Sequence, residues 1–504
     1  MELELNRTHL TGYQNILDTT VFREETLEAI VSDANPDILR LVDTRGVAFL
    51  KGKTASDGRV ALTGTARLAI LYLPDGGTGL CRMEVDIPFH VSLEDPGIKT
   101  GCMVTAVPRI CSADTRTMNP RKVVTRVEIA VDVQVFSAHS QGLCTSVTAE
   151  NGVIEQLKKT HQINCVTAVQ DKQVSFENQL TIPTGRAAAE ELVSNRVNLA
   201  CHDQKIIGNK LILKGDATVQ MLYRTVNGAL DTADYTLPFS QILEVDSVAT
   251  EGKCRVEMAL SEAEFLLGSD GRTVSVSLSM LIQVIVREER EMELLADAYS
   301  TGCRTKIDYE VCEYQTMHAE GIGRQPVREV IETGIQMKSV IDAYCQIGRL
   351  HQMRKGHELQ LTAQVLATAL CLTENDEYCA VSREVEVSCS VDVAEECMCP
   401  MLCHCTDVGV SPTADGVEVR FQINFPYLSL LGAKAEVVRD ISLEAEEQEH
   451  QRKPSIVLRV MEDGERLWDV AKRYSTTIAD IIKANNLENE QPGGGTLLLI
   501  PRKR

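Results

Sequence analysis

This sequence of 504 residues has few aromatic residues and lacks the pattern of an export signal. Aromatic side chains make up only 4% of it, with a single Trp, so the hydrophobic cores have to be built from Val, Ile, Leu and Ala. The N-terminus has no cationic segment followed by an apolar one, so we expect no signal peptide. No apolar run reaches the roughly 18 residues that a membrane-spanning helix requires, so we expect no transmembrane segment.

Basic residues are also in deficit. The chain has 51 Lys and Arg against 72 Asp and Glu, which gives a formal net charge of −21. Broad binding to nucleic acid or to anionic lipid needs a basic surface, so the composition argues against both partners. Hydrophobic residues nevertheless make up 44% of the chain, which is typical of folded domains rather than of a disordered acidic tail.

Catalytic signatures are missing as well. The sequence contains neither a His-Glu-x-x-His metalloprotease motif nor a Gly-x-Ser-x-Gly nucleophile motif. Its ten His residues are scattered, without a repeated acidic or nucleophilic neighbour. We therefore expect a protein that is not an enzyme and that uses no cofactor.

One pattern occurs three times, with a period of about 150 residues. Each copy begins at a turn and continues as a run in which apolar and β-branched residues alternate with polar ones, which is typical of hairpins and half-buried strands. The marker residues are Gly64, Tyr72 and Pro88-Phe89 in the first copy, Gly215, Tyr223 and Pro238-Phe239 in the second, and Ala363 and Cys371 in the third.

These patterns predict a mainly β fold, with three repeated β-rich domains, sandwich-like or barrel-like, and a small α+β domain of βααβ order. Further strands are expected at 123–136, 272–286 and 416–430, and short helices at 187–193 and 327–335. The domains would span 1–160 with an N-terminal extension, 161–312, and a divergent 313–443. A polar linker at 444–455 would precede the terminal domain at 456–504.

The turn, the strands with their Gly and Tyr, and the Pro-Phe pair resemble the SPOCS domain, a β-rich repeat of spore-coat and related proteins in spore-forming Gram-positive bacteria. The resemblance covers about residues 20 to 440. The third copy departs from it, since Ala363 and Cys371 replace the Gly and Tyr and the Pro-Phe pair is missing.

The last 49 residues form a compact pattern of their own. Apolar spacing predicts a strand at 456–460, a helix at 467–474, a second helix at 478–484 and a strand at 497–500. Thr476 or Thr477 is suited to cap the second helix. Trp468 lies among the apolar positions of the first helix, which favours a place in the core over a role as a ligand platform.

This module resembles a LysM domain in Gly464 to Trp468, Ala471, Tyr474, Asn485 to Leu487 and Ile500-Pro501. LysM domains bind N-acetylglucosamine chains, and the resemblance implies a groove between the loop after the first strand and the loop after the second helix. By position, the groove residues are Gly464, Glu465, Arg466, Asn485, Asn486 and Leu487. The usual Gly-Asp-Thr of the family is here Gly464-Glu465-Arg466, with a long cation in place of a small hydroxyl.

The 17 cysteines suggest either buried thiols or a special site. Thiols of a protein that is not exported stay reduced, so we expect most to be small hydrophobic core residues, with a disulfide scaffold as the alternative. The group with spacings that could hold zinc is Cys397, Cys399, Cys403, His404 and Cys405. Cys102, Cys254 and Cys403 occupy matching places in the three copies, and the first two lack ligand-like neighbours. We therefore favour packing and expect no metal.

Repeated SPOCS-like domains with one LysM-like domain resemble the spore-coat morphogenetic proteins of clostridial type. The resemblance implies a non-enzymatic scaffold or adaptor that links a coat morphogenetic ATPase, or another coat protein, to the forespore surface. It also implies action in the cytoplasm of the mother cell. The alternative is a cell-wall protein that binds peptidoglycan or another N-acetylglucosamine-containing glycan, which would require export. An enzyme carried by its LysM domain is the least favoured interpretation.

Overall fold

The computed structural model describes residues 3–76, 79–149, 154–245, 252–334, 336–395, 403–414, 416–444, 455–487, 489 and 492–501. In this part of the chain twenty strands account for most residues, and two short helices lie near the C-terminus, so the predicted mainly β class with a small α+β domain is confirmed.

The first six strands are β1 (Leu3–Ile30), β2 (Ile38–Ser56), β3 (Arg59–Pro74), β4 (Cys81–Glu94), β5 (Met103–Asn119) and β6 (Lys122–Ala149). The next six are β7 (Ile154–Thr181), β8 (Ala189–Ile207), β9 (Lys210–Thr225), β10 (Leu230–Glu244), β11 (Lys253–Leu267) and β12 (Thr273–Ser300). The third six are β13 (Arg304–Glu332), β14 (Met337–Lys355), β15 (Glu358–Thr373), β16 (Tyr378–Asp392), β17 (His404–Thr413) and β18 (Gly416–Glu444). The last elements are β19 (Ile456–Val460), α1 (Leu467–Tyr474), α2 (Ile478–Asn485) and β20 (Leu497–Pro501).

The same six-strand arrangement occurs three times, as unit 1 (β1–β6), unit 2 (β7–β12) and unit 3 (β13–β18). In each unit the long first and last strands pair antiparallel, and the fifth strand lies beside the last. The second, third and fourth strands form a separate antiparallel sheet. Side chains of the two sheets meet in a shared hydrophobic core, which makes each unit a two-sheet sandwich.

The short helices expected at 187–193 and 327–335 are wrong. Residues 189–193 lie in β8 and residues 327–332 lie in β13. Runs such as Ala-Ala-Ala-Glu-Glu-Leu favour a helix locally, but this preference is weak. Pairing with β9 and β18 fixes both segments as strands, so tertiary contacts override it.

The predicted domain boundaries after residues 160 and 312 fall inside the long strands β7 and β13. The first strand of each unit begins well before the repeated motif, so the motif gives no sign of where a unit starts. As a division of the chain into domains, the predicted ranges stay a prediction.

The glycine and the phenylalanine of the repeated motif form one packing contact. Gly64 on β3 pairs with Phe89 on β4, and unit 2 has the same pair at the equivalent positions. A Cβ at Gly64 would lie 2.1 Å from Cζ of Phe89 and 2.4 Å from the carbonyl oxygen of Phe49. In unit 3 both partners differ together, since Ala363 lies opposite Val387. Glycine on the third strand of a unit therefore lies opposite phenylalanine on the fourth, and the larger alanine lies opposite the smaller valine.

The three units surround a shared, approximately threefold axis. Equivalent residues of the middle strands β3, β9 and β15 meet in one hydrophobic cluster, as do equivalent residues of β2, β8 and β14. The first set is Leu71, Leu222 and Leu370, and the second is Val42, Val193 and Ile341. The three sandwiches therefore form a single body with a common centre.

A buried ion network connects the units near this axis. Arg45 of unit 1 is 1% exposed and is ion-paired with Asp43 and with Asp342 of unit 3. Arg196 of unit 2 donates to the two oxygens of Asp342 at 2.7 and 2.6 Å. The ring of Tyr344 lies 4.7 Å from the guanidinium carbon of Arg45 and 5.1 Å from that of Arg196. Burial opposes ionisation of Asp342, but the two arginines outweigh it and lower the pKa of that carboxyl.

The far halves of the long strands form a stalk. Its three antiparallel ribbons consist of residues 3–14 with 137–149, 154–165 with 288–300, and 304–317 with 430–444. Buried side chains from all three ribbons meet inside it, among them Val147, Ala298 and Ile441 at equivalent positions. Strands β6, β12 and β18 all end at this end of the stalk, and β7 and β13 begin there.

Candidate binding site in the C-terminal module

The C-terminal module (residues 455–501) has the strand–helix–helix–strand order that the sequence predicts. β19 and β20 pair antiparallel. Helix α2 is capped by Thr477, whose hydroxyl oxygen accepts a hydrogen bond from the backbone N–H of Asp480 at 3.0 Å. Trp468 is 5% exposed and lies in the module's hydrophobic core, which confirms its predicted place.

The first predicted groove loop is held by ion pairs within the module. Gly464 has a φ of +80°, a left-handed conformation that favours glycine in this turn. The carboxylate of Glu465 lies 2.9 Å from the guanidinium of Arg459 and is largely buried. Arg466 donates two hydrogen bonds to Asp469, both at 2.9 Å, and this bidentate contact raises the pKa of Arg466. Glu465 and Arg466 are therefore both paired with module residues.

The second predicted groove segment closes helix α2 onto strand β20. The Asn485 amide nitrogen donates to the carbonyl oxygens of Ile481 and Leu499 at 2.8 and 2.7 Å, and its carbonyl oxygen accepts from the backbone N–H of Leu499 at 2.7 Å. Asn486 has a left-handed φ of +49° and ends the helix, and Leu487 packs on the module core. These three residues have structural roles, and sugar binding by them stays a prediction.

The two loops touch each other. A Cβ at Gly494, in the second loop, would lie 1.7 Å from Oδ1 of Asp463 in the first. The backbone N–H of Gly495 also donates to the carbonyl oxygen of Met461 at 3.0 Å. A side chain at 494 would therefore displace the Asp463 carboxylate from its place between the loops.

The helical side of the module lies against the end of the stalk. The indole N–H of Trp468 donates to Oδ2 of Asp297 at 2.7 Å, and the Lys472 ammonium lies 2.6 and 2.8 Å from the two oxygens of the same carboxylate. The Tyr299 hydroxyl donates to the carbonyl oxygen of Thr476 at 2.7 Å. Its ring meets the Trp468 ring edge to face, with centroids 4.9 Å apart. Burial raises the pKa of Tyr299, which keeps this hydroxyl a donor.

A polar pocket of about 330 Å³ lies between the module and the stalk. Arg466 lines it on the module side. Lys159, Tyr309 and Lys434 are among the residues on the stalk side. The first loop of the predicted sugar groove therefore faces the stalk.

The outer face of the module's sheet is apolar and exposed. Its residues are Ile456, Leu458 and Val460 on β19 and Leu497 on β20, which are 57%, 65%, 54% and 60% exposed. Val460 pairs with Leu497 across the sheet, so the side chains form one patch. Alternate residues of both strands point to the helices instead, and Leu498 and Ile500 are buried there. Contiguous exposed apolar patches mark interaction sites.

The cysteine group gives no metal site in the described part of the chain. Cys397 and Cys399 lie outside the described residues. Cys403 and Cys405 pack against the core of unit 3, burial raises the pKa of Cys403 to about 12, and His404 is exposed. No set of three or more His, Cys, Asp or Glu side chains with metal-binding geometry occurs among the residues described.

Sequence reasoning missed Asp297 and Tyr299, which lie beyond the strand expected at 272–286 and were given no role. It also missed the exposed patch, although a signal was present. The segment Ile456-Val-Leu-Arg-Val460 is apolar at nearly every position, while a two-stranded sheet under two helices needs only alternate apolar residues. An apolar second face is therefore readable from the sequence.

Comparisons with protein-family models match two kinds of domain. The model described as "SipL, SPOCS domain" matches residues 37–117 and 188–266, which cover β2–β5 of unit 1 and β8–β11 of unit 2. The LysM domain model matches residues 462–501. Searches of curated proteins and of solved structures gave no significant match. Among the described residues, no helix is long and apolar enough to cross a membrane.

Proposed function

We propose that this chain, which carries two SPOCS domains and one LysM domain, is a non-enzymatic adaptor in assembly of the spore coat. The two families make it a sporulation-related protein with a binding module, and both families are binding domains rather than known enzymes. In the proposed role, the LysM module binds a coat morphogenetic protein, and the three units carry that protein to the forespore surface. The site of action is the cytoplasm of the mother cell.

The exposed apolar face of the module's sheet is the observation that supports this proposal. Among the residues that the structure describes, Leu458 and its neighbours form a patch without polar groups to read a sugar. Such a surface favours an apolar surface on another protein. The patch also lies on the side of the sheet opposite the helices that contact the stalk. A partner can therefore reach it while the module is docked.

The glycan interpretation receives less support from this site. Asn485 uses both ends of its amide within the module, and Arg466 replaces a small hydroxyl and faces the stalk. Gly494 brings the second loop into contact with the first. Peptidoglycan binding is therefore the second candidate, favoured by the family of the module rather than by the geometry of its loops.

The full chain with Leu458→Glu tests the proposal. The side chain is 65% exposed, so the fold should persist, while a charge in the centre of the patch should abolish capture of the coat protein. A fluorescent fusion expressed during sporulation should then leave the forespore surface and fill the mother cell. Lys483→Gln, which changes the charge equally at an exposed position on helix α2, is the matched control.

Glycan binding is measured on the same proteins with N-acetylglucosamine oligomers. If the wild type binds them, and Leu458→Glu changes neither this affinity nor forespore localisation, the adaptor proposal is wrong. If localisation depends on Leu458 and no oligomer binds, the glycan alternative is excluded.

A further inference from the structure

The end of the stalk carries a contact site for the module on one ribbon. Asp297 and Tyr299 lie near the end of β12, on either side of the buried Ala298. Val147 and Ile441 occupy the equivalent buried positions of β6 and β18. Their neighbours are Ser146 and Thr148 in unit 1, and Asp440 and Ser442 in unit 3. The Asp-x-Tyr pair that holds the module therefore occurs only in unit 2 among the three equivalent ribbon ends.

The contacts concentrate on one carboxylate. Asp297 accepts from the indole N–H of Trp468 at 2.7 Å, from Lys472 at 2.6 and 2.8 Å, and from the hydroxyl of Tyr309 at 2.9 Å. Its side chain is 15% exposed, so these hydrogen bonds are partly shielded from water. Removal of this carboxylate would leave an indole N–H and an ammonium group without their acceptor at the interface.

We propose that Asp297 is a latch that holds the LysM module on the stalk, and that the module has a docked and a released position. Residues 445–454, which lie outside the described part of the chain, connect the two parts in the sequence. From Glu444 to Ser455 there are 11 Cα steps, so this segment spans at most about 40 Å when fully extended. The module can therefore leave the stalk without disturbing either fold. In the docked position the direction of the module's apolar face is fixed relative to the stalk. In the released position the module is attached only through residues 445–454, and its apolar face is free to turn. Only this last consequence rests on the proposed function.

The single Trp of the chain makes the latch directly measurable. Trp468 lies at the interface, so the decay of its fluorescence anisotropy reports whether the module rotates with the 55.6 kDa chain or separately. The wild-type full chain should show one slow rotational component. In Asp297→Ala a fast component should appear, because the released fraction rises by about tenfold or more when charge-assisted hydrogen bonds are lost.

Asp440→Ala, at the equivalent position of the third ribbon, is the matched control and should behave as the wild type. Far-ultraviolet circular dichroism checks that both variants keep their strands. A dominant fast component in the wild type, or a single slow one in Asp297→Ala, would overturn the latch. These outcomes involve no partner, so they are independent of the Leu458→Glu test. Loss of forespore localisation in Leu458→Glu with a slow Trp468 signal would support the adaptor role and leave docking intact.

Discussion

The substitution Gly64→Ala tests the packing contact that underlies the repeated motif. The new methyl group would lie 2.1 Å from the ring of Phe89 and 2.4 Å from the carbonyl oxygen of Phe49, and both distances are far below van der Waals contact. Overpacking of this kind costs about 1–3 kcal/mol, and the backbone oxygen places this site near the upper end. We expect the free energy of unfolding of the full chain to fall by about 3 kcal/mol.

A double-mutant cycle with Phe89→Val separates the two contacts. Phe89→Val alone should cost about 2 kcal/mol through lost burial and a cavity. The double variant copies the Ala363–Val387 pair of unit 3 and should be at least about 1 kcal/mol more stable than the sum of the single effects predicts. Rescue should be only partial, because units 1 and 3 differ in the neighbouring strand. The bulge of β2 comes after Leu50, the partner of Gly64, whereas the bulge of β14 comes before Leu350, the partner of Ala363. In the double variant the Phe49 carbonyl therefore still crowds the new methyl group.

Urea unfolding followed by circular dichroism gives these energies, and hydrogen exchange of β3 peptides locates them. Ala363→Gly is the matched control and should cost only about 1 kcal/mol, the usual penalty of glycine in a strand. Trp468 fluorescence reports separately on the C-terminal module, which these changes should not affect. A fully stable Gly64→Ala protein, or strict additivity in the cycle, would refute the steric explanation.

Two further predictions concern buried groups. Asp342→Asn should cost about 3 kcal/mol or more at neutral pH, because Arg45 and Arg196 lose their shared carboxylate. The pKa of Asp342 is lowered on folding, so its contribution is present above the ordinary value of 3.8 and is lost as the pH falls through the lowered pKa. Urea midpoints below pH 4 should therefore fall more steeply in the wild type than in the variant, and equal slopes would contradict the network. Burial raises the pKa of Cys111 and of Cys254 to about 11. Iodoacetamide at pH 8 should therefore label both thiols slowly in the native protein and rapidly in urea, as measured by mass spectrometry. Fast labelling of the native protein would refute their burial.

Local patterns were sufficient for the strands of the repeated motif and for the terminal module. Alternation of apolar and polar residues predicted the strands around Gly64 and Gly215, and helical spacing predicted α1 and α2. The same local reasoning gave false helices at 187–193 and 327–335, since their strand conformation comes from pairing with distant residues. Periodicity reports a residue's burial within one element and contains no information on that element's partner.

The arrangement of the three units depends on residues that look ordinary in the sequence. Arg45 and Asp342 are 297 residues apart, and each resembles a surface charge until the fold brings them together. Asp297 is likewise one acidic residue among 72 Asp and Glu. For the candidate site, the sequence predicted the core place of Trp468, but the contact of its indole N–H with the stalk needed the three-dimensional structure.

The pairing of the first and last strands within each unit determines how the chain can fold during synthesis. Leu3 pairs with Ala149, so the 28 residues of β1 have no partner until almost the whole of unit 1 has been made. The entropic cost of closing so long a loop is modest, because each doubling of its length adds only about 0.6 kcal/mol. The larger consequence is kinetic, since an open strand edge of this length pairs with any suitable strand nearby. A neighbouring nascent chain on the same messenger RNA carries an identical β6, so exchange of strands between chains competes with correct closure of every unit.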